Sequence, residues 1–459
     1  MRRAALNFLF ILLLAAFLVP ALSAAQPSPQ ISPATAVKQQ TQNNPASSSP
    51  VATPPQTEAQ KKITAYTLPP DLYRKAHTRG RIRFSLRLFG VLYSVLILCF
   101  ILNRRLSAKY RDWAENFSRS RFLQALFFTP LLVLTIGVLQ LPLDALQEWI
   151  EKSYGISVQR WGSWISDWAK AQFLVILIGI PLVWILYSVI RKSPRRWWLY
   201  FWFVSLPTLL LIIFISPYVI EPMFNKFEPL TSKAPALVPR LQNVTRRAGQ
   251  EIPPERMFWM KASDKTISTN AYVSGFGSSK RIVIWDTAIA QETPDEVVTD
   301  FGHEMGHYVL GHIWKGIIFA AVLLFALLYL GYRSIGWVLA RWGARWGVRG
   351  LEDLASFPAL LLLITIFAFL ANPITNGFSR FEETQADIYS LEVTHGILPD
   401  PGQASAHEFQ VWGEHVFVDP DPNPLDVLLF YDHPTISDRI HLFVTYDPWS
   451  KGEQPQFVK

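Results

Sequence analysis

The residues best suited to chemistry are His303-Glu304-Met305-Gly306-His307. Histidines four apart share one face of a helix, so both imidazoles can reach a single ion. A glutamate beside the first histidine can then take a proton from water at that ion. The chemistry needs a helix, and the sequence writes its start. Thr293 can cap it, Pro294 suits its first turn, and Glu296 completes a Thr-x-x-Glu capping box. Alone, the five-residue pattern is also compatible with a solvated polar helix face. A downstream run, Glu383-Thr384-Gln385-Ala386-Asp387, raises its weight. Glu383 supplies a third ligand, and three protein ligands leave the fourth position of zinc open for water. Asp387, one turn later, can accept a hydrogen bond from a ligand imidazole and fix its tautomer. Glu382 competes with Glu383 as ligand, and the spacing to Asp387 favours Glu383. A metzincin is excluded, because Leu310 and Ile313 stand where its glycine and third histidine belong. His312 lies five residues past His307, so on a helix it faces another way and is only a minor candidate ligand.

The elements that must position these groups are a capped helix, short strands and a set of apolar segments. In the polar block 221–312, residues 234–249 read as a helix. Met257–Lys261, Ala271–Ser274 and Arg281–Trp285 read as strands between Gly and Ser turns. A second polar block, 376–459, closes the chain. Six apolar segments lie near 86–103, 122–141, 173–190, 197–216, 316–332 and 355–371, each read as a membrane span. Pro130, Pro181 and Pro207 interrupt three of them, which neighbouring helices can tolerate. Residues 1–25 read as a signal sequence, with an uncleaved first span as the alternative. Residues 26–62 hold seven prolines and no aromatic residue, and read as a disordered linker.

Composition agrees with a membrane protein. Of the 459 residues 50% are hydrophobic and 17% charged, against about 25% charged in soluble domains. Mean hydropathy is +0.19, and 17 Trp with 31 Phe suit membrane interfaces. The net charge of +8 does not point to nucleic acid, because basic residues such as Arg104, Arg105, Arg191, Lys192, Arg195 and Arg196 flank apolar runs. They read as topology signals. The single Cys99, inside an apolar run, leaves no disulfide framework and no cysteine metal site.

Beyond this motif, several stretches together resemble the type I CAAX prenyl proteases and their bacterial relatives, integral-membrane gluzincin metallopeptidases. They are Glu221-Pro-Met-Phe-Asn-Lys-Phe-Glu-Pro-Leu230, Asn270-Ala-Tyr272, Lys280-Arg-Ile-Val-Ile-Trp-Asp-Thr287, the metal motif, Ser379-Arg-Phe-Glu-Glu-Thr-Gln-Ala-Asp387, and His433-Pro434 with Asp438-Arg439. They run in family order over roughly residues 140–445. The resemblance implies a predominantly α, polytopic membrane protein. Six or seven transmembrane helices would enclose a water-filled intramembrane chamber, beside a small α+β zincin-like catalytic domain. It implies one Zn2+ and a peptide or protein substrate bound as an extended strand within membrane lipids. It also implies substrate contact for Asn270, oxyanion stabilisation by His433 and a supporting role for Arg439. The chain departs from the family at its N-terminus, where a signal-like segment and linker replace the usual first helix and loop.

The resulting organisation is a signal or first helix (1–25), a linker (26–62), a four-helix membrane domain (63–220) and a metallopeptidase domain interrupted by two spans (221–459). The expected activity is metal-assisted peptide hydrolysis by a zinc metalloendopeptidase. Membrane-protein quality control is the alternative within enzymes. An inert transporter or lipid-binding scaffold is the alternative outside them, and the presence of all three ligands with Glu304 disfavours it. The expected location is a bacterial inner membrane. Residues 104–121, 191–196 and 333–349 gather fourteen Lys and Arg, and the charge rule then places the zinc domain outside the cytoplasm.

Overall fold

The computed structural model describes residues 62–274 and 280–458. The expected signal sequence and all but the last residue of the linker lie outside the described residues.

Six helices among the described residues are long and apolar enough to cross a membrane: Pro70–Asn103, Arg121–Ser153, Trp161–Lys192, Trp197–Phe224, His312–Trp346 and Leu354–Thr394. Each contains one of the six apolar segments and extends beyond it. Pro130, Pro181 and Pro207 lie inside them without ending the helix. Buried aromatic and aliphatic side chains knit the spans together, among them Phe128, Tyr187, Trp197, Phe201 and Phe357. Two polar contacts link different spans: Tyr187 Oη and Ser356 Oγ are 2.8 Å apart, and Trp202 Nε1 donates to the Ala321 carbonyl at 2.8 Å. Lipid offers no such partner, so these bonds fix which spans are neighbours.

Between the fourth and fifth spans lies a four-stranded sheet. Its strands are β1 (Phe227–Pro229), β2 (Met257–Met260), β3 (Ala271–Ser274) and β4 (Arg281–Trp285), in the order β1-β2-β4-β3. β2 and β4 pair in parallel, with Val283 opposite Phe258, and the other two pairings are antiparallel. Three strands follow the sequence reading. β1 escapes it, because three residues ending in proline carry no alternation to read. β3 is an edge strand of this sheet.

Helix α1 (Pro294–Val309) carries the histidine motif and packs on β3. Its capping box is formed as expected, with Thr293 accepting from the Glu296 amide and Glu296 from the Thr293 amide. Val297, Val298, Phe301 and Met305 share one side of the helix and are buried in the core formed with the strands. Each such side chain contributes about 1.5–3 kcal/mol. That apolar face directs His303 and His307 the other way, toward helix α2 (Phe357–Thr394), the last span and its continuation. Two shorter helices, α3 (Pro401–His415) and α4 (Ile436–Thr445), pack together beside them.

Candidate metal centre

His303, His307 and Glu383 offer ligand atoms that all lie within 4.8 Å of one another. His303 Nε2 is 3.1 Å from Glu383 Oε2, His307 Nε2 is 3.1 Å from Glu383 Oε1, and the two Nε2 atoms are 3.1 Å apart. Two imidazoles and one carboxylate are the donor set of a catalytic zinc site.

Glycine makes the approach of α2 possible. A Cβ on Gly306 would lie 3.0 Å from Ala386 Cα and 3.0 Å from Tyr389 Cβ, and one on Gly302 would lie 2.9 Å from Ser390 Oγ. With both absent, the helices close until Ser390 Oγ donates to the Thr299 carbonyl at 2.5 Å. Glu383, only 2% exposed, then comes level with both histidines.

The groups behind these candidate ligands form a chain of charge. His303 Nδ1 is 2.7 Å from Asp387 Oδ1, and Arg439 Nε donates to Asp387 Oδ2 at 2.9 Å. The Arg439 guanidinium also lies over the Phe409 ring, 4.0 Å from its centre. Asp387 and Arg439 are both buried, so each is the counter-charge that the other requires. Burial alone would lower the His303 imidazole, but the Glu383 and Asp387 carboxylates outweigh it and raise the ring to about 10. At His307 burial prevails and the ring is lowered. Groups that favour a proton on His303 favour a cation beside it equally.

Glu304 sits one position past His303, with Oε2 buried and without a hydrogen-bond partner. A buried carboxylate oxygen of this kind needs a donor, and a water at the ion would be one. His433, half exposed, brings Nε2 to 3.3 Å from Glu383 Oε2 and holds Nδ1 2.9 Å from Asp432. Asn270 precedes the edge strand β3, and its carbonyl accepts from the Trp285 amide at 3.0 Å. Thus Glu304, Asp387, His433 and Arg439 gather around the three candidate ligands, while Asn270 stands at the start of the neighbouring strand.

One expectation is corrected. His312 does not face away from His307: its Nδ1 is 3.0 Å from His307 Nδ1, and its Nε2 is 3.1 Å from Gln385 Oε1. The continuous helix assumed for the five-residue spacing does not exist. Gly311, at φ 69°, breaks the chain between α1 and the fifth span and turns His312 back. Sequence reasoning also missed a second acidic group, Glu292, Asp300 and Glu408, whose oxygens approach within 4.8 Å. Burial and then Asp300 push Glu292 up to about 8, and burial and then Glu304 push Asp300 up to about 7. Burial also raises Glu408 well above the usual range. Burial and mutual repulsion thus both disfavour charge on these three carboxyl groups.

Comparison with known proteins agrees with this architecture. Residues 54–226 match the family described as CAAX prenyl protease N-terminal, five membrane helices, and residues 232–444 match peptidase family M48. The Bacillus subtilis protein named "Uncharacterized metalloprotease YhfN" is 31% identical over 369 residues, spanning 80% of this chain and 84% of its own. CAAX prenyl protease 1 of Saccharomyces cerevisiae is 27% identical over 416 residues, 83% of this chain and 89% of that protein. The crystal structure of S. mikatae Ste24p superposes with a TM-score of 0.70 at 23% identity, covering 83% of this chain and 90% of that one, which shows a shared fold.

Proposed function

This chain belongs to peptidase family M48 as a membrane-embedded metallopeptidase, and from that membership we propose that it cleaves peptide bonds with one zinc ion held by His303, His307 and Glu383. The convergence of both Nε2 atoms and the Glu383 carboxylate at 3.1 Å carries this reading. A zinc ion held by these three residues would supply Lewis acidity toward the scissile carbonyl and toward water. Glu304 accepts the water proton through its buried, unpartnered oxygen and passes it to the leaving amine. Asp387 accepts the His303 Nδ1 proton and so keeps Nε2 as the donor atom. Arg439 holds Asp387 in that position. His433 supplies an N–H to the oxyanion that develops on the carbonyl.

The substrate in this proposal is an extended peptide segment. It adds to β3, the terminal strand of the described sheet, beside Asn270, where main-chain pairing would align the scissile bond with the metal helix. The eukaryotic relatives are named CAAX prenyl protease and the bacterial one only metalloprotease, and the proposed substrate is defined by its extended backbone alone.

Replacing Glu304 with Gln tests the mechanism. The shape is kept and proton acceptance is lost, so zinc content should stay at one per chain while peptide turnover falls roughly 10²–10⁴-fold. Near-normal turnover in the purified variant would remove Glu304 from the reaction.

A further inference from the structure

The corrected position of His312 has a chemical consequence. His307 points Nε2 at Glu383 and His303, and presents Nδ1 to His312 Nδ1 at 3.0 Å. Two ring nitrogens at that distance need one proton between them, so one donates and the other accepts. When Nε2 of His307 gives its lone pair to a metal, the neutral ring must carry its proton on Nδ1. That proton can only be donated to His312, whose Nδ1 must then be the lone pair. The His312 proton is thereby confined to Nε2, which lies 3.1 Å from Gln385 Oε1, an acceptor. Every atom along the path has one role: Gln385 oxygen accepts, His312 relays, and His307 presents Nε2.

His312 is only 4% exposed, so water does not supply an alternative partner there. The two rings stand nearly perpendicular, at 72° with centres 5.0 Å apart, which directs the hydrogen bond edge to edge and excludes simple stacking. Gln385 sits on α2 between Glu383 and Asp387, so one helix supplies a ligand and the supports of both histidines. Asp387 serves His303 and the His312–Gln385 pair serves His307.

We propose that His312 and Gln385 are positioning residues that lock His307 in the Nδ1-protonated tautomer and so set zinc affinity. The proposal rests on His307 being a zinc ligand. Removal of such outer partners typically weakens a metal site about 10–100-fold.

The test is zinc affinity, measured by chelator competition on purified, detergent-solubilised full-length protein. Wild type should bind one zinc and His307→Ala should lose it; if His307→Ala keeps wild-type affinity, the ligand assignment itself fails. With that control satisfied, His312→Phe should bind zinc about 10–100-fold more weakly, because it fills the space without an acceptor. His312→Asn, whose oxygen can occupy the Nδ1 position, should recover most of the loss. Gln385→Leu should weaken binding in the same direction and Gln385→Glu should not, which decides the matter if His312→Phe does not fold. Wild-type affinity in the Phe or Leu variant, or equal losses in Phe and Asn, would overturn the proposal.

Discussion

A carboxylate buried beside two imidazoles is stable only if something positive shares the space, and that requirement separates Glu383 from Glu382. Both are buried on the same helix. Successive helical residues point about 100° apart, so only one can face the histidines. Glu383 does, with oxygens 3.1 Å from both Nε2 atoms. Glu383→Ala should therefore lower zinc affinity by more than about 100-fold, since a direct ligand weighs more than its outer partners. Glu382→Ala should leave zinc content near one per chain and cost only stability. Metal analysis of the two purified variants checks this, and the reverse pattern would move the ligand one residue upstream. At this scale the four-residue histidine spacing and the Asp387 spacing were legible, because both partners sit on continuous helices. His312 and Gln385 were not, because a glycine in the left-handed region cancels the periodicity on which such spacing depends.

The same glycine logic operates between elements. The proposed metal centre depends on α1 and α2 touching along Gly302 and Gly306, where a Cβ would meet the Ser390, Thr394 and Val393 side chains at the first and Ala386 backbone at the second. At Gly306 the obstacle includes Ala386 Cα, so neither helix can yield without moving Glu383 away from the histidines. Gly306→Val should destabilise the fold by about 1–3 kcal/mol. It should also weaken zinc binding, although it removes no ligand. Thermal unfolding together with zinc titration measures both effects, and a variant with normal affinity would show that the helices can separate without loss of the site. The sequence announces α1 through its capping box and the strands through their β-branched and aromatic runs. The contact between α1 and α2 is not announced, since a glycine inside a metal motif reads as neutral until the opposing surface is known. Helix lengths were also underestimated from apolar runs. The first span begins at Pro70 because its polar half binds protein: Arg79 pairs with Glu151 at 2.8 Å and Arg87 with Asp426 at 3.2 Å.

Those ion pairs bear on how the whole molecule sits in its membrane. Helical alternation puts the short connections 104–120, 193–196 and 347–353 at one end of the spans and the sheet, α1 and α4 at the other. The first end holds the fourteen basic residues of segments 104–121, 191–196 and 333–349. There the connections interlock, with Arg349 bonded to Glu115 at 2.8 Å and Arg111 to Asp353. The second end also carries basic residues at the start of the first span, which would weaken a charge argument if they were free. Arg74, Lys75 and Arg81 are exposed, but the others are held by the fold and Arg74 and Lys75 have local partners. Arg79 and Arg83 face Glu151, Arg74 pairs with Asp71, and Lys75 lies 3.9 Å over the Phe417 ring. Residues just before the span are tied to the same end, where Gln403 on α3 bonds both the amide and the carbonyl of Ile63 at 2.8 and 2.9 Å. The positive-inside rule then directs the interlocked end to the cytoplasm and the proposed zinc centre to the opposite side. The test replaces Cys99 with Ser and adds one cysteine at a time, at exposed Thr231 beside the sheet or at exposed Ser120 in the basic connection. In intact cells a membrane-impermeant thiol reagent should label Thr231→Cys and leave Ser120→Cys unlabelled until the membrane is permeabilised. Labelling of position 120 but not 231 would invert the orientation, and the protease would then draw its peptide substrates from the cytoplasm.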